Sequence, residues 1–497
     1  MNWNKIMVSI LLGFSVIACK NQEKKEEAKT DLVQNETVTN RPNILVIMCD
    51  DLGYNDVGFN GSKDIPTPNL DALAANGAIA TAGYAVHPFC GPSRAGFLTG
   101  QYPHEFGSQF NLPRRHENEG KGIPTNLAYM SSTLQDAGYF TGLVGKWHLG
   151  IKPEFHPQKR GFDEFYGFLG GGHKYFPEQY YSAYQNEKAK GNDDIWEYIT
   201  PLEHNGNPIM DADKYLTDEL SDAAVNFVSD QKAKENPFFL FLAYNAPHVP
   251  LEAKKEDLAK FSHITDKKRK TYAAMVYAVD RGVGQLADAL KANNQLDNTL
   301  IVFLSDNGGK TTEGANNYPL KEGKGSMQEG GFRVPMFIHY PKEIQANTIY
   351  DHPISALDFY PTFAHLAQAK LPKTQELHGK NIWESLTTGT SARQDESIFA
   401  MRHWPGYSDV AVRKNDFKAL KKGKANWQLF NVKEDLSEEN NLESEYPEVL
   451  KTLVSEAEVW SKKHVKPLWY NPPELETDWK THDMGNFPGI FDASAHK

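Results

Sequence analysis

The chain is poor in cysteine: three in 497 residues, at positions 19, 49 and 90. A scaffold built on many disulfides is excluded, and Cys49–Cys90 is the one pair left if Cys19 is used elsewhere. Positive charge is also scarce. Lysine and arginine number 53 against 64 aspartates and glutamates, a formal net charge of −11. A general nucleic-acid binder is usually basic, so that class is set aside. An acidic protein that handles an anion must instead build a locally positive pocket. Long apolar runs are missing too. Ile6–Ile17 is the exception, and it is too short to span a bilayer as a mature helix. Internal repeats are absent.

What is present is ordinary for a globular protein, with 40% hydrophobic and 24% charged residues. The length exceeds one core, which points to one large domain and a smaller one. Lys5 and the apolar run lead to Val16-Ile17-Ala18-Cys19, which resembles the lipobox of bacterial lipoproteins. The resemblance implies a signal peptide over 1–18 and a lipid anchor on Cys19. The protein would then be exported and tethered in the periplasm or at the outer membrane or cell surface. Residues 19–41 are charged with few large apolar side chains, and read as a disordered tether. An exported chain meets an oxidising compartment, so a Cys49–Cys90 disulfide is a rival fate for Cys90. Cys49, at the end of an apolar strand, can equally be buried as a thiol.

From Arg41 onward the pattern is α/β. Asn43–Cys49 is a continuous apolar run, as a parallel strand buried on both faces requires. Asp50-Asp51 follows at once. Phe238–Tyr244 and Thr299–Leu304 are strands of the same kind, and Tyr139–Val144 and Val334–Tyr340 also read as strands. Amphipathic helices are expected over 213–230 and 267–293. Four strand ends carry polar chemistry: Asp50/Asp51, Lys146/His148, His248 and Asp306/Asn307. Open α/β sheets place ligands at the carboxyl ends of their strands, so four such ends make a site. Adjacent carboxylates repel unless a cation or solvent relieves them. Oxygen donors of this type suit a hard cation such as Ca²⁺ or Mg²⁺. The basic side chains beside them suit a tetrahedral oxyanion.

The stretch Phe89-Cys90-Gly91-Pro92-Ser93-Arg94, closed by Thr99-Gly100, sits at the start of an expected helix, where anions are favoured. Together with Gly138-Tyr139, Thr141 and Gly145-Lys146-Trp147-His148, it resembles the formylglycine-dependent sulfatases of the alkaline phosphatase superfamily. Ordered likenesses run from about Arg41 to Leu442. Gln101 departs from them, standing where the family often has a basic residue. The resemblance implies a large, mostly parallel sheet flanked by helices over 42–380, and a smaller C-terminal α+β subdomain with an antiparallel sheet over 381–497. It implies that Cys90 is oxidised to formylglycine by a formylglycine-generating or anaerobic sulfatase-maturing enzyme. One Ca²⁺ would be held by Asp50, Asp51, Cys90 as formylglycine, Asp306 and Asn307. Arg94, Lys146 and Lys324 would neutralise the sulfate. His248 would protonate the leaving group, with Lys324 as second candidate, and His148 would act as base in the second half-reaction.

Phe155–Pro208, rich in Gly, Tyr, Phe and Asn, reads as loops over the pocket mouth. His173 and Lys174 there, and Arg402, His403 and Trp404 at a later strand end, are candidate substrate contacts. The expected substrate is a sulfated polysaccharide or oligosaccharide, algal such as ulvan or carrageenan, or a host glycan. A phosphomonoester or phosphonate-ester hydrolase of the same superfamily is the near rival. A non-catalytic surface glycan-binding lipoprotein is the distant one. The tail from Pro467 has no assigned task.

Overall fold

Ten strands form one twisted sheet. From edge to edge they run Thr348–Tyr350, Ala78–Ala80, Met336–His339, Thr299–Ser305, Asn43–Cys49, Phe238–Ala243, Phe140–Lys146, Glu164–Phe168, Leu202–His204 and Asn207–Ile209. The five from Thr299–Ser305 to Glu164–Phe168 are mutually parallel, and antiparallel strands flank them. The computed structural model describes residues 41–113, 120–192, 194–232, 234–482 and 490–491. Cys19, the leader expected over 1–18 and the tether expected up to Asn40 lie outside the described residues.

The alternation of Asn43–Cys49 explains why its sequence is apolar throughout. Ile44, Val46 and Met48 enter one core with Phe97, Phe239 and Leu300. Leu45, Ile47 and Cys49 enter the other with Leu220, Phe227, Val279 and Leu286. The last four come from the helices Leu216–Asp230 and Lys267–Ala292, whose apolar stripes cover that face. Among the described residues no helix is long and apolar enough to cross a membrane.

A separate four-stranded antiparallel sheet is built from Ile398–Trp404, Tyr407–Lys414, Phe417–Lys421 and Gln428–Asn431. Asn415, at φ 50°, makes the turn expected at Asn415-Asp416. Met401, Val410 and Val412 belong to the same core as Ile44 and Phe97, so the two sheets share apolar packing. Reading Phe155–Pro208 as loops was incorrect. It contributes the strands Glu164–Phe168, Leu202–His204 and Asn207–Ile209 and the helix Pro177–Ala189. The strands are short and sit at one side of the sheet, so no long apolar run announces them.

Candidate active site

Four strands deliver their polar ends to one place. Cys90 is the first residue of the buried helix Cys90–Thr99, with Phe89 in extended conformation before it. Lys324 Nζ donates to Cys90 Sγ at 3.0 Å and pairs with Asp51 Oδ1 at 2.6 Å. Lys146 Nζ pairs with Asp50 Oδ2 at 2.5 Å, and Arg94 Nε with Asp306 Oδ2 at 2.8 Å. Lys146, Arg94, Asp50, Asp51 and Asp306 are all buried. A buried ion is tolerated only when paired, and here each carboxylate has its own cation. Asp51 and His148 take left-handed backbone conformations, φ 65° and 63°. Such strain concentrates at sites where side chains must be aimed.

The charges set one another's proton affinity. Burial would raise the Asp50 carboxyl, yet Lys146, backed by His248, Arg94 and Lys324, holds it below the usual carboxylate range. Burial and the neighbouring charge of Asp50 push Asp306 up to about 7. Burial alone would lower Lys324, but Asp51 and the acidic groups behind it hold its ammonium well above the ordinary value. Burial, then Asp50, push the Cys90 thiol up to about 12. A neutral thiol is a poor nucleophile, so this pocket is not built for thiolate chemistry. Cys49 and Cys90 are both free thiols, so the disulfide reading has no support here.

His248 Nδ1 lies 2.7 Å from the Val249 carbonyl, and its Nε2 is 3.8 Å from Asp51 Oδ2. A proton on Nδ1, donated to that carbonyl, leaves Nε2 toward the carboxylates. Burial pushes its pKa down to about 4, so the resting ring is neutral.

Ligand atoms of Asp50, Asp51, Cys90 and His248 lie within 4.8 Å of one another. Asp50 Oδ1 and Asn307 Oδ1 are buried without a hydrogen-bond partner among the described residues. Asn307 Nδ2 donates to Asp51 Oδ1 at 2.8 Å, so the amide stands beside the carboxylates. Orphaned oxygens among three buried carboxylates fit a divalent cation of the oxygen-seeking kind. Of the expected metal set, Asp306 is the outlying member: it accepts from Arg94 and, at 3.4 Å, from the Asp51 backbone N–H.

A cavity of about 420 Å³ opens onto Cys90, with His148, His248 and Lys324 in its wall. Sequence reasoning missed several of its walls. Asn111 Oδ1 accepts from the Gly91 backbone N–H at 2.9 Å. Trp196 stacks on Tyr198, centroids 4.6 Å apart and 9° from parallel, and is 47% exposed. Asn471 comes from the tail, whose Trp469 and Tyr470 pack on Phe110 and Leu112. The tail therefore closes one side of the cavity. Each of these residues is local to a loop and carries no periodic signal.

The substrate candidates divide. His173 is fully buried, both ring nitrogens 2.7 Å from carbonyls, of Lys174 and Thr200, and lines neither cavity. Lys174 pairs with Glu252 at 3.3 Å. His403 is buried against His104 and Trp479, with Nδ1 2.7 Å from Ser408 Oγ. As direct substrate contacts, His173 and His403 are thus misplaced, because each ring turns into the packed interior. Arg402 and Trp404 line a more open cleft of about 900 Å³ that shares Lys324 with the first cavity.

A buried ionic cluster anchors the loop that carries Lys324. Lys418 Nζ pairs with Glu329 and Glu438, both at 2.9 Å, and Arg333 with Glu329 at 3.0 Å. Lys418 comes from the antiparallel sheet, so that sheet helps hold the loop in place. A lysine at an inward strand position was the available signal.

The Sulfatase family model matches residues 42–369. The model of the N-sulphoglucosamine sulphohydrolase C-terminal region matches residues 323–463. Arylsulfatase J of Mus musculus is 30% identical over 537 residues, 94% of this chain and 86% of its own. N-acetylgalactosamine-6-sulfatase of Mus musculus is 33% identical over 394 residues, 76% of this chain and 71% of its own. The crystal structure of Ps i-CgsB in complex with k-i-k-neocarrahexaose is 54% identical with a TM-score of 0.89, covering 91% of this chain and 100% of that one.

Proposed function

The chain belongs to the sulfatase family and is a sulfuric ester hydrolase, and from that premise we propose that it removes sulfate from a carrageenan-type polysaccharide or oligosaccharide. The observation that carries the substrate reading is the 54% identity to Ps i-CgsB, a protein solved with a neocarrahexaose. The stacked Trp196–Tyr198 pair at the cavity wall supports it, since a flat aromatic face suits a sugar ring.

The family implies formylglycine and a divalent metal. Formylglycine at Cys90 supplies, as its hydrate, an oxygen nucleophile where the thiol would be inert. Ca²⁺ is the metal proposed, with Asp50, Asp51, Asn307 and Asp306 as its holders, and it would supply a Lewis acid for a sulfate oxygen. Lys146, Lys324 and Arg94 provide the positive charge that binds the sulfate group. Because Asp50, Asp51 and Asp306 already fix these cations, little reorganisation is needed when the anion arrives. Two groups can carry a proton to the leaving oxygen. Lys324 is charged at rest. His248 is neutral at rest and takes up a proton at Nε2 as the anionic substrate raises its affinity. His148, whose ring lies against Gly171 in the cavity wall, is the base proposed for the return step.

Maturation by a formylglycine-generating or anaerobic sulfatase-maturing enzyme belongs to this proposal. So do the lipid anchor on Cys19 and a place in the periplasm or at the cell surface. The test is sulfate release, read by ion chromatography, from carrageenan oligosaccharides, with aryl sulfate and aryl phosphate alongside. Release from the oligosaccharides is expected. It should vanish on chelation and return with Ca²⁺. Hydrolysis of aryl sulfate with none from any carrageenan oligosaccharide would remove the substrate reading.

A further inference from the structure

The cleft beside the catalytic cavity is cationic in an acidic protein. Lys310, Lys324, Arg402, Lys422 and Lys424 line it against two carboxylates, Glu322 and Asp409, while the whole chain carries −11. Both carboxylates are already engaged. Glu322 pairs with Lys422 at 2.6 Å, and Asp409 accepts from Trp404 Nε1 at 3.0 Å and from the Gly423 backbone N–H at 2.6 Å.

Arg402 is left over. Its side chain makes no hydrogen bond or ion pair with any described residue, although it is half-buried. Its guanidinium carbon stands 3.3 Å from the centre of the Trp404 ring and 5.3 Å from that of Phe89. Stacking fixes the plane of the fork while leaving its N–H donors unspent. Burial, only partly offset by Asp409, Tyr407 and Glu322, pushes its pKa down to about 10, so the charge is held short of compensation yet still present at neutral pH.

The position ties Arg402 to the catalytic loop. A Cβ on Gly325 would lie 2.8 Å from Arg402 Nη1 and 3.0 Å from Phe89 Cζ, and Gly325 has φ 85°. Only glycine lets the backbone turn there and press against the guanidinium. Gly325 follows Lys324, and Phe89 precedes Cys90. An anion held by Arg402 therefore sits one step along the cleft from the ester that Lys324 faces.

We propose that this cleft is a second anion site, anchored by Arg402 and assisted by Lys424, that binds a further sulfate on a sugar neighbouring the one being desulfated. The inference rests on the sulfated-glycan reading above. A guanidinium matches two sulfate oxygens at once, and the adjoining Trp404 and Tyr407 offer apolar faces for the sugar between the two sulfates. The enzyme then selects densely sulfated chain segments over sparsely sulfated ones.

The test uses full-length Cys90→Ala protein, which holds substrate without turning it over, and calorimetric titration with two carrageenan tetrasaccharides. One carries sulfate on every sugar (ι-type), the other on alternate sugars (κ-type). The ι-type is expected to bind about 10- to 100-fold tighter, the factor one charge-assisted contact supports. Adding Arg402→Met should bring the two within about twofold. Lys424→Ala, at an exposed position that leaves folding intact, should narrow the gap a few-fold at low salt and less at high salt. Equal binding of the two ligands to Cys90→Ala protein, or an unchanged ratio in the Arg402→Met background, overturns the proposal. Failure of the wild-type enzyme to desulfate either ligand would instead count against the glycan reading, a separate outcome.

Discussion

The pocket around Cys90 and the cleft around Arg402 share Lys324 and little else. In the pocket the cations are buried and each is paired: Lys146 with Asp50, Arg94 with Asp306, Lys324 with Asp51. In the cleft they are partly exposed, and Arg402 has no carboxylate partner among the described residues. Charges fixed by partners are suited to stabilising a charge distribution that exists only during reaction. Unpaired, accessible charges are suited to capturing an anion that is already formed. In the proposed account the first arrangement serves chemistry and the second recognition.

Changes in the pocket should therefore cost turnover, and changes in the cleft should cost affinity. The largest effect is expected at Cys90. Cys90→Ser should lower kcat by roughly 10,000-fold or more, the scale on which a removed nucleophile acts; normal multiple turnover by that variant would break the distinction at its root. Lys146→Ala comes next, with kcat down by roughly 100- to 1,000-fold. It also leaves Asp50 buried without its partner, a loss of about 3–5 kcal/mol of stability that denaturant unfolding would register. A variant as stable as wild type would show that the pair is not buried as described.

A buried histidine cluster lines neither region. His104 stacks on His464 at 4.7 Å, with His87 at 5.7 Å and His403 at 5.4 Å between ring centroids. Burial pushes His87, His403 and His464 from 6.5 down to about 3, and His104 well below its usual value. Each folded-state pKa is lower than the unfolded one, so the unfolded chain binds more protons in the interval between them. The stability contributed is full above about pH 6.5 and is lost as pH falls from there toward about 3. Melting temperature should drop across that interval, and less steeply in His104→Phe. A flat profile from pH 7 to pH 4.5 would contradict it. The smallest effect is expected at the rim: Trp196→Ala should raise KM for oligosaccharide by about 5- to 10-fold with kcat nearly unchanged, the scale of one lost aromatic contact. A fall in kcat instead would move Trp196 from recognition into chemistry.

The same division governs how much could be read from sequence. Asp50, Asp51, Lys146, His248, Asp306 and Asn307 were legible because each lies at the carboxyl end of a buried strand or in the segment that leaves it, and the sheet's topology gathers strand ends. Asn43–Cys49 was found with its observed limits, since a seven-residue apolar run leaves little choice. The Cys90 stretch was placed at the start of a helix, and Cys90 is that helix's first residue. Asn111, Tyr198 and Asn471 were not legible, because they meet only through tertiary packing of loops far apart in the chain. His173 and His403 illustrate the converse. A histidine beside a plausible mouth can turn inward when carbonyls, a hydroxyl or aromatic rings can take its ring: His173 sits in irregular backbone, where sequence does not record which way a side chain turns, and His403 alternates with Arg402 and Trp404 along the strand Ile398–Trp404, so it faces the opposite side from them. Lys418, second in the short strand Phe417–Lys421, faces inward onto Glu329 and Glu438, partners distant in sequence that no local pattern announces.

The most direct test of the chemistry assigned to the pocket is the mass of the Cys90 peptide, taken from protein produced together with a maturation enzyme and assayed in the same preparation for sulfate release. An aldehyde at position 90, in a proportion that tracks specific activity, is the expected result. A fully active preparation in which Cys90 is entirely an unmodified thiol would contradict it.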